Sequence, residues 1–404
     1  MTVGLEGVRV VEMAQVAAGP MAGRLLADWG AEVIHIEHPV RGDIYRSQSA
    51  GHRGGRAIVS DINYNIENYN RNKKSVSLDM SQEGGKKIIY KLLEKADVFL
   101  NNLRPRELIK FNLEYDTLSQ LNPRLIFANI SGYGKNGPVK DAPGYEYTGY
   151  FARSGIHHVL RPPGSAPVQT PIGFGDNVVA LSLAYGIMTA LFIRERSGIG
   201  QEVDVCLYHT GVYAISGDIA GSLVTGQDRQ TIERKDVNNV LVNSYETKDG
   251  RWIQFGMAQP DPYWSRFCRG IGREDIEHDP RFASFESRVD NRIALFDILE
   301  EVFLSKTLAE WKPRLDEANI PWAPIQSLTE VTSDPQAREN DFFVAYDHPT
   351  YGRIEGVANP VKFSKTPVVA RPAPEFSQHT EEVLLEHGYT WEDIAQFKEQ
   401  GIIA

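Results

Sequence analysis

The chain has 404 residues, 42% of them hydrophobic, which is enough for one large or two medium globular domains with a sizeable buried core. A formal net charge of −10 argues against nucleic acid or anionic lipid as partner, since either demands a concentrated basic face, and points to a small molecule. Its two cysteines, Cys206 and Cys268, form neither a disulfide framework nor a zinc-ligand spacing, which fits a reducing cytoplasm and predicts no metal.

In chain order, residues 8–12 read as a strand, 20–29 as a helix stopped by Gly30, and 32–36 as a second strand: a βαβ unit, not an export leader. Helix 84–95 then feeds strand 98–101, and helix 113–122 feeds strand 125–130. The simplest assembly is an α/β fold with a doubly wound parallel sheet. Residues 132–175 turn rich in Gly, Pro and polar side chains, at a length where loops are commonly functional. The apolar run 178–193 is shorter than the roughly 20 residues of a membrane span and is interrupted by Ser182, Tyr185, Gly186 and Thr189, so it reads as a buried helix. Strand 202–207 and a helix from Tyr208 close another αβ step. A charged, apolar-poor stretch at 227–239 reads as a linker, and strands 243–247 and 252–256 open a smaller α/β domain with helices 261–269, 292–303 and 308–318. The expected division is a large domain 1–226, a linker 227–242, a small domain 243–319, and a return to the large domain over 320–404.

A βαβ opening invites a nicotinamide or flavin, and Glu37 stands where a ribose-binding acid would. The turn AlaGlnValAlaAlaGlyPro (14–20) lacks the GxGxxG that lets backbone approach a pyrophosphate, so neither cofactor is expected. Asp176, in GlyPheGlyAspAsn (173–177), precedes the apolar helix, where the positive end of the helix dipole keeps a carboxylate ionised. An N-cap is the ordinary reading for an Asp at such a junction, and a nucleophile approached across a glycine loop is the other; local sequence does not choose. His157 and His158 stand near no nucleophile elbow and read as solvated or structural. Lys73, Lys74, Arg104, Arg106, Lys110 and Lys135 lie near predicted strand ends, where two or three converging on one crevice would suit a phosphorylated ligand.

Several ordered segments together resemble the class III CoA-transferase family, of formyl-CoA transferase and carnitine CoA-transferase type. They are the opening 7–37, AsnArgAsnLysLysSerValSerLeuAsp (70–79), AlaAspValPheLeuAsnAsnLeuArgPro (96–105), SerGlyTyrGly (131–134), the GlyAspAsn block to Gln201 (175–201), and HisThrGluGluValLeuLeuGluHisGlyTyr (379–389). The resemblance implies that Asp176 is the nucleophile, attacking an acyl-CoA thioester to give a mixed anhydride and then an aspartyl-CoA thioester, with no metal. It also implies oxyanion donors in the active-site loop at Gln15, Ala17 and Gly175, the glycines around Asp176 exposing their N–H groups. Coenzyme A contacts are implied at Val16, Ala18, His38, Lys73, Asn102, Arg104, Lys110 and Tyr133, with Tyr145 and Tyr147 in the substrate pocket.

Compared with formyl-CoA transferase, Gln15 replaces a histidine, Ala17 a glutamine, and His38 and Lys110 arginines, which points to a larger, less polar acid than oxalate. The same fold hosts racemases with a histidine base in a GlyHisAsp segment. Here that segment is GlyTyrGluTyr (144–147), with Tyr145 in place of the base, so transfer is favoured over racemisation. The run 134–155 is most similar to the branch acting on aromatic or branched acids. It implies (R)-benzylsuccinate as first acceptor with a donor such as succinyl-CoA, and phenyllactate/cinnamate or 2-hydroxyisocaproate as alternatives. The family forms interlocked dimers, implying a homodimer or a hetero-oligomer with a related subunit, crossing at the 227–239 linker and the 320s segment. A non-catalytic subunit of such a heteromer is the remaining alternative.

Overall fold

A computed structural model of the chain describes residues 4–47 and 60–404. Six strands form the main sheet: β1 (Arg9–Met13), β2 (Glu32–Glu37), β3 (Lys74–Ser77), β4 (Val98–Asn101), β5 (Ile126–Ser131) and β6 (Glu202–Cys206). Their order is β3-β2-β1-β4-β5-β6, and each neighbouring pair is parallel. This is the doubly wound order, with its reversal between β1 and β4.

Side-chain alternation splits the core between the two faces of the sheet. Val10 and Leu100 join one apolar cluster with the helices Ala18–Ala27 and Phe174–Ser197, while Val11 and Phe99 join another with helix Glu83–Leu93. Both faces being covered, the strands are apolar nearly throughout, as in ValPheLeu of β4. Helix Phe174–Ser197 is long and apolar enough to cross a membrane, yet Val179, Leu183, Ile187 and Leu191 form a stripe at fourfold spacing that is buried in this core.

Some local expectations shift. The short β3 pairs with β2 as an edge strand that periodicity did not mark. The helix expected over 113–122 is Tyr115–Leu121, preceded by a separate helix Pro105–Phe111, because Asn112 takes a left-handed conformation at φ 58° and ends the first. Within 132–175 lies a π-helical segment, Tyr147–Arg153, in which the Phe151 N–H reaches back five residues to the Glu146 carbonyl.

Contacts divide the chain into two compact units. The larger comprises Met1–Val159, Val168–Arg229 and Glu339–Ala404, and includes the antiparallel hairpin β10 (Phe343–His348) with β11 (Gly352–Val357). The smaller comprises Leu160–Pro167 and Gln230–Arg338. It holds the antiparallel strands β7 (Ser244–Glu246), β8 (Trp252–Phe255) and β9 (Trp322–Pro324). Its core is aromatic, with Tyr245, Phe255, Phe267, Phe303 and Trp311 in mutual ring contact. Because β9 pairs with β8, the 320s belong to this sheet, and the limit expected at residue 319 moves to Arg338.

Candidate active site

A cavity of about 1030 Å³ opens where the parallel strands end. Its walls come from the segments that follow β1, β2, β3, β4 and β5, the place where open α/β sheets receive ligands. Asp176 reaches it from the first turn of helix Phe174–Ser197. That turn starts at Gly173, whose φ of 80° suits glycine and where a Cβ would collide with the Tyr69 hydroxyl.

The helix N-terminus is occupied by Glu146, a residue the sequence reading passed over. Its carboxylate is buried and accepts from the N–H groups of Gly173 (2.6 Å), Gly175 (2.8 Å) and Asp176 (3.4 Å). Two expectations are thereby corrected. Asp176 does not cap its own helix, and the Gly175 N–H is not exposed, because Glu146 has taken it. Nor does the helix end hold Asp176 firmly ionised: burial, and then the charge of Glu146, push its carboxyl up to about 7.

The expected residues divide cleanly. Gln15, Val16, Ala17 and Ala18 line the cavity, as do His38, Asn102, Arg104, Lys110 and Tyr145. Val16 sits at φ 74°, a strained conformation for a β-branched side chain. The turn is held by Asn102, which accepts from the Gln15 N–H (3.2 Å) and donates to the Gln15 carbonyl (2.9 Å).

Lys73, Tyr133, Tyr147 and Gly175 are not in the lining. Lys73 is buried: its ammonium donates to both oxygens of Glu12 (2.8 and 2.9 Å), to the Pro20 carbonyl (2.8 Å) and to Asn70 Oδ1 (3.0 Å). A lysine so enclosed has no donor left for a phosphate. Tyr133 donates instead to Thr148 Oγ1 at 3.0 Å. Of the other basic residues, Lys74 pairs with Glu32, Glu382 and Glu386, and Lys135 with Glu202.

Two exposed cations missed in the sequence, Arg41 and Lys140, do line the cavity. Neither belongs to a predicted helix or strand face, so no periodicity marked them. Glu146 was equally hidden, lying 30 residues before Asp176 within the aperiodic stretch. Among the described residues, no group of three or more His, Cys, Asp or Glu is gathered as for a metal ion.

This arrangement, a carboxyl poised near neutrality in the wall of a cation-bearing cavity, suits nucleophilic attack on a large phosphorylated substrate. Comparison with known proteins gives the family. Residues 5–380 match the model of CoA-transferase family III. The chain is 38% identical to the (R)-2-hydroxy-4-methylpentanoate CoA-transferase of Clostridioides difficile, over 99% of both chains. It is 35% identical to the cinnamoyl-CoA:phenyllactate CoA-transferase of Clostridium sporogenes, covering 97% of this chain and 95% of that one. Among solved structures it is similar to a CAIB/BAIF family protein from Brucella suis, with a TM-score of 0.83 at 27% identity, covering 96% of this chain and 100% of that one.

Proposed function

This chain belongs to CoA-transferase family III and is an enzyme that transfers coenzyme A, and we propose that Asp176 carries the transfer as a covalent intermediate. The observation that carries the proposal is the position of Asp176, at the cavity beyond the strand ends with its carboxyl brought to about 7. The ionised carboxylate attacks the thioester carbonyl of an acyl-CoA, and the C–S bond breaks to leave a mixed anhydride and CoA thiolate. The thiolate attacks the aspartyl carbonyl, forming the aspartyl-CoA thioester and releasing the first acid. The acceptor carboxylate then displaces the thiolate, and the thiolate takes the new acyl group, which restores Asp176. No step moves a proton, so the nucleophile needs only to be ionised.

With the Gly173 and Gly175 N–H groups bound to Glu146 and the Gln15 N–H to Asn102, the proposed oxyanion donors are the Gln15 side-chain amide and the Val16 and Ala17 N–H groups of the strained turn. His38, Arg41, Arg104, Lys110 and Lys140 are the proposed partners of the CoA phosphates, with Val16, Ala18 and Asn102 beside them. Tyr145 lies in the proposed acid pocket and, standing where racemases have their base, favours transfer over racemisation.

For the acceptor we propose a branched or aromatic 2-hydroxy acid. The two CoA-transferases above are named for 2-hydroxy-4-methylpentanoate and for phenyllactate, both 2-hydroxy acids, and this similarity sets the benzylsuccinate reading behind them. Assembly as an interlocked dimer in the cytoplasm completes the proposal. Exposed apolar side chains such as Tyr185, Phe192, Tyr213, Leu223 and Val224 support a partner chain.

The test is intact-protein mass after incubation with succinyl-CoA and aryl or branched acyl-CoAs, trapped with hydroxylamine or borohydride. An adduct mapping to Asp176 and missing from Asp176→Asn is expected. Transfer without any adduct at Asp176 sinks the covalent proposal.

A further inference from the structure

Glu37 ends β2 where a dinucleotide-binding fold would carry its ribose acid, yet both of its oxygens are engaged inside the chain. Oε2 accepts from the Asp43 N–H (2.8 Å) and from Arg46 Nε (2.6 Å), while Oε1 accepts from Arg46 Nη2 (2.8 Å) and from the Ser75 hydroxyl on β3 (2.7 Å). The side chain is fully buried. Burial works against its charge, and the bonds it accepts, those from Arg46 foremost, more than offset this and hold the carboxyl down at about 2. It is therefore charged at any working pH.

Two of its partners lie at the far end of a tight turn. The chain leaves β2 at His38 and comes back over Glu37 at Asp43 and Arg46. The Gly42 N–H donates to the His38 carbonyl at 2.8 Å, and Gly42 itself sits at φ 60°. A Cβ there would stand 3.3 Å from Glu37 Oε2 and 3.4 Å from Arg46 Cδ, so the turn is packed directly onto the carboxylate and its arginine. The same pair is braced from the C-terminal return segment: Arg46 Nη2 also donates to the Pro374 carbonyl (3.0 Å), and the Ser75 hydroxyl accepts from the Ser377 N–H (2.9 Å).

Between these anchors His38, Val40 and Arg41 line the cavity, with Glu37 at the base of that wall. Arg41 is exposed and belongs to no helix or strand. A cation on an unsupported turn would have to be ordered by its ligand, at a cost in affinity, whereas one on a turn already fixed would not.

We propose that Glu37 is a positioning residue for acyl-CoA binding: by holding the Asp43 N–H and Arg46 together it fixes the turn that presents His38 and Arg41 to the cavity. This rests on the assignment of His38 and Arg41 to the CoA phosphates.

The test uses the full-length enzyme and measures kcat, the KM for acyl-CoA and the KM for the acid in Glu37→Gln, Arg46→Lys, Arg41→Ala, His38→Ala and the double variant of Glu37→Gln with Arg41→Ala, each checked for native circular dichroism. Glu37→Gln leaves Arg46 without its anion and is expected to raise the KM for acyl-CoA about tenfold, with kcat and the KM for the acid within about twofold. Arg46→Lys keeps the cation but loses the two-pronged bond, so a smaller rise of about threefold is expected, and it serves where Glu37→Gln does not fold. In an Arg41→Ala background the penalty of Glu37→Gln is expected to shrink to about threefold, because the two residues act through one turn. An unchanged KM for acyl-CoA in both Glu37→Gln and Arg46→Lys, equal rises for acyl-CoA and acid, or a penalty undiminished by Arg41→Ala overturns this role alone. An enzyme in which Arg41→Ala and His38→Ala both leave the KM for acyl-CoA unchanged overturns the phosphate assignment and this role with it.

Discussion

Lys73 and Asp176 are both charged groups drawn out of water, and their surroundings treat them in opposite ways. Burial works against the Lys73 ammonium and lowers its pKa, while Glu12 opposes that shift, and its donors meet Glu12, Pro20 and Asn70 at 2.8–3.0 Å. Glu12 is itself met by His35 Nδ1 at 2.6 Å. For Asp176 the neighbouring charge is that of Glu146, of the same sign, and it adds to the effect of burial. A buried charge with complementary partners ties the sheet to its helices; one facing a like charge has its proton affinity raised, as Asp176 does. Burial shifts both groups, so burial alone does not mark a functional one; what sets Asp176 apart is a neighbouring charge of its own sign.

The sharpest way to break the comparison is Asp176→Asn. Transfer is expected to fall by at least about 10⁴-fold, measured by chromatographic separation of the two acyl-CoAs, with the fold retained. Stability carries a second sign. The folded carboxyl, at about 7, binds its proton more tightly than the ordinary 3.8, so its contribution is fully present below about 4 and is lost as pH rises through about 7. The melting temperature of Asp176→Asn relative to the unsubstituted chain is therefore expected to rise between pH 5 and pH 8; a difference constant with pH contradicts the raised value.

Lys73→Met leaves Glu12 buried without its cation and is expected to cost about 3–5 kcal/mol in urea unfolding. The KM for acyl-CoA of the remaining folded enzyme should be unchanged. A stable variant with a raised KM would return Lys73 to the ligand site.

Glu146→Gln removes the like charge while keeping an acceptor for the helix N–H groups. Since the proposed attack requires ionised Asp176, kcat/KM is expected to rise with pH through about 7, and in this variant that rise is expected to move to lower pH. Activity at pH 6 relative to pH 8 should increase severalfold, about what the loss of one neighbouring charge provides. An unmoved profile would mean that burial alone sets Asp176.

Arg41→Ala and Lys140→Ala probe the exposed end of the cavity and should have the smallest effect. Each is expected to raise the KM for acyl-CoA about threefold to tenfold at low salt and less at high salt, because exposed charges are screened. Equal effects at both ionic strengths would argue against a phosphate contact.

Much of this molecule was legible in the chain itself. Alternation and apolar runs marked β1, β2, β4, β5 and β6, because strands covered on both faces must be apolar throughout, and an αβ rhythm of that kind admits few sheets. The ordered motifs from 7 to 389 carried the family, and the GlyAsp pair within them carried Asp176. What tertiary structure alone decided was which groups meet. Lys73 is one residue from Lys74 in sequence, yet one is enclosed by Glu12 and the other, at the start of β3, pairs with the carboxylates of Glu32, Glu382 and Glu386. Glu146 reaches Asp176, and Tyr69 reaches Gly173, across 30 and 104 residues of chain, distances at which no local periodicity operates. Sequence determined the elements, since their pattern is local; the proton affinity of Asp176 belongs to the fold, since it is set by charge and burial contributed from elsewhere in the chain.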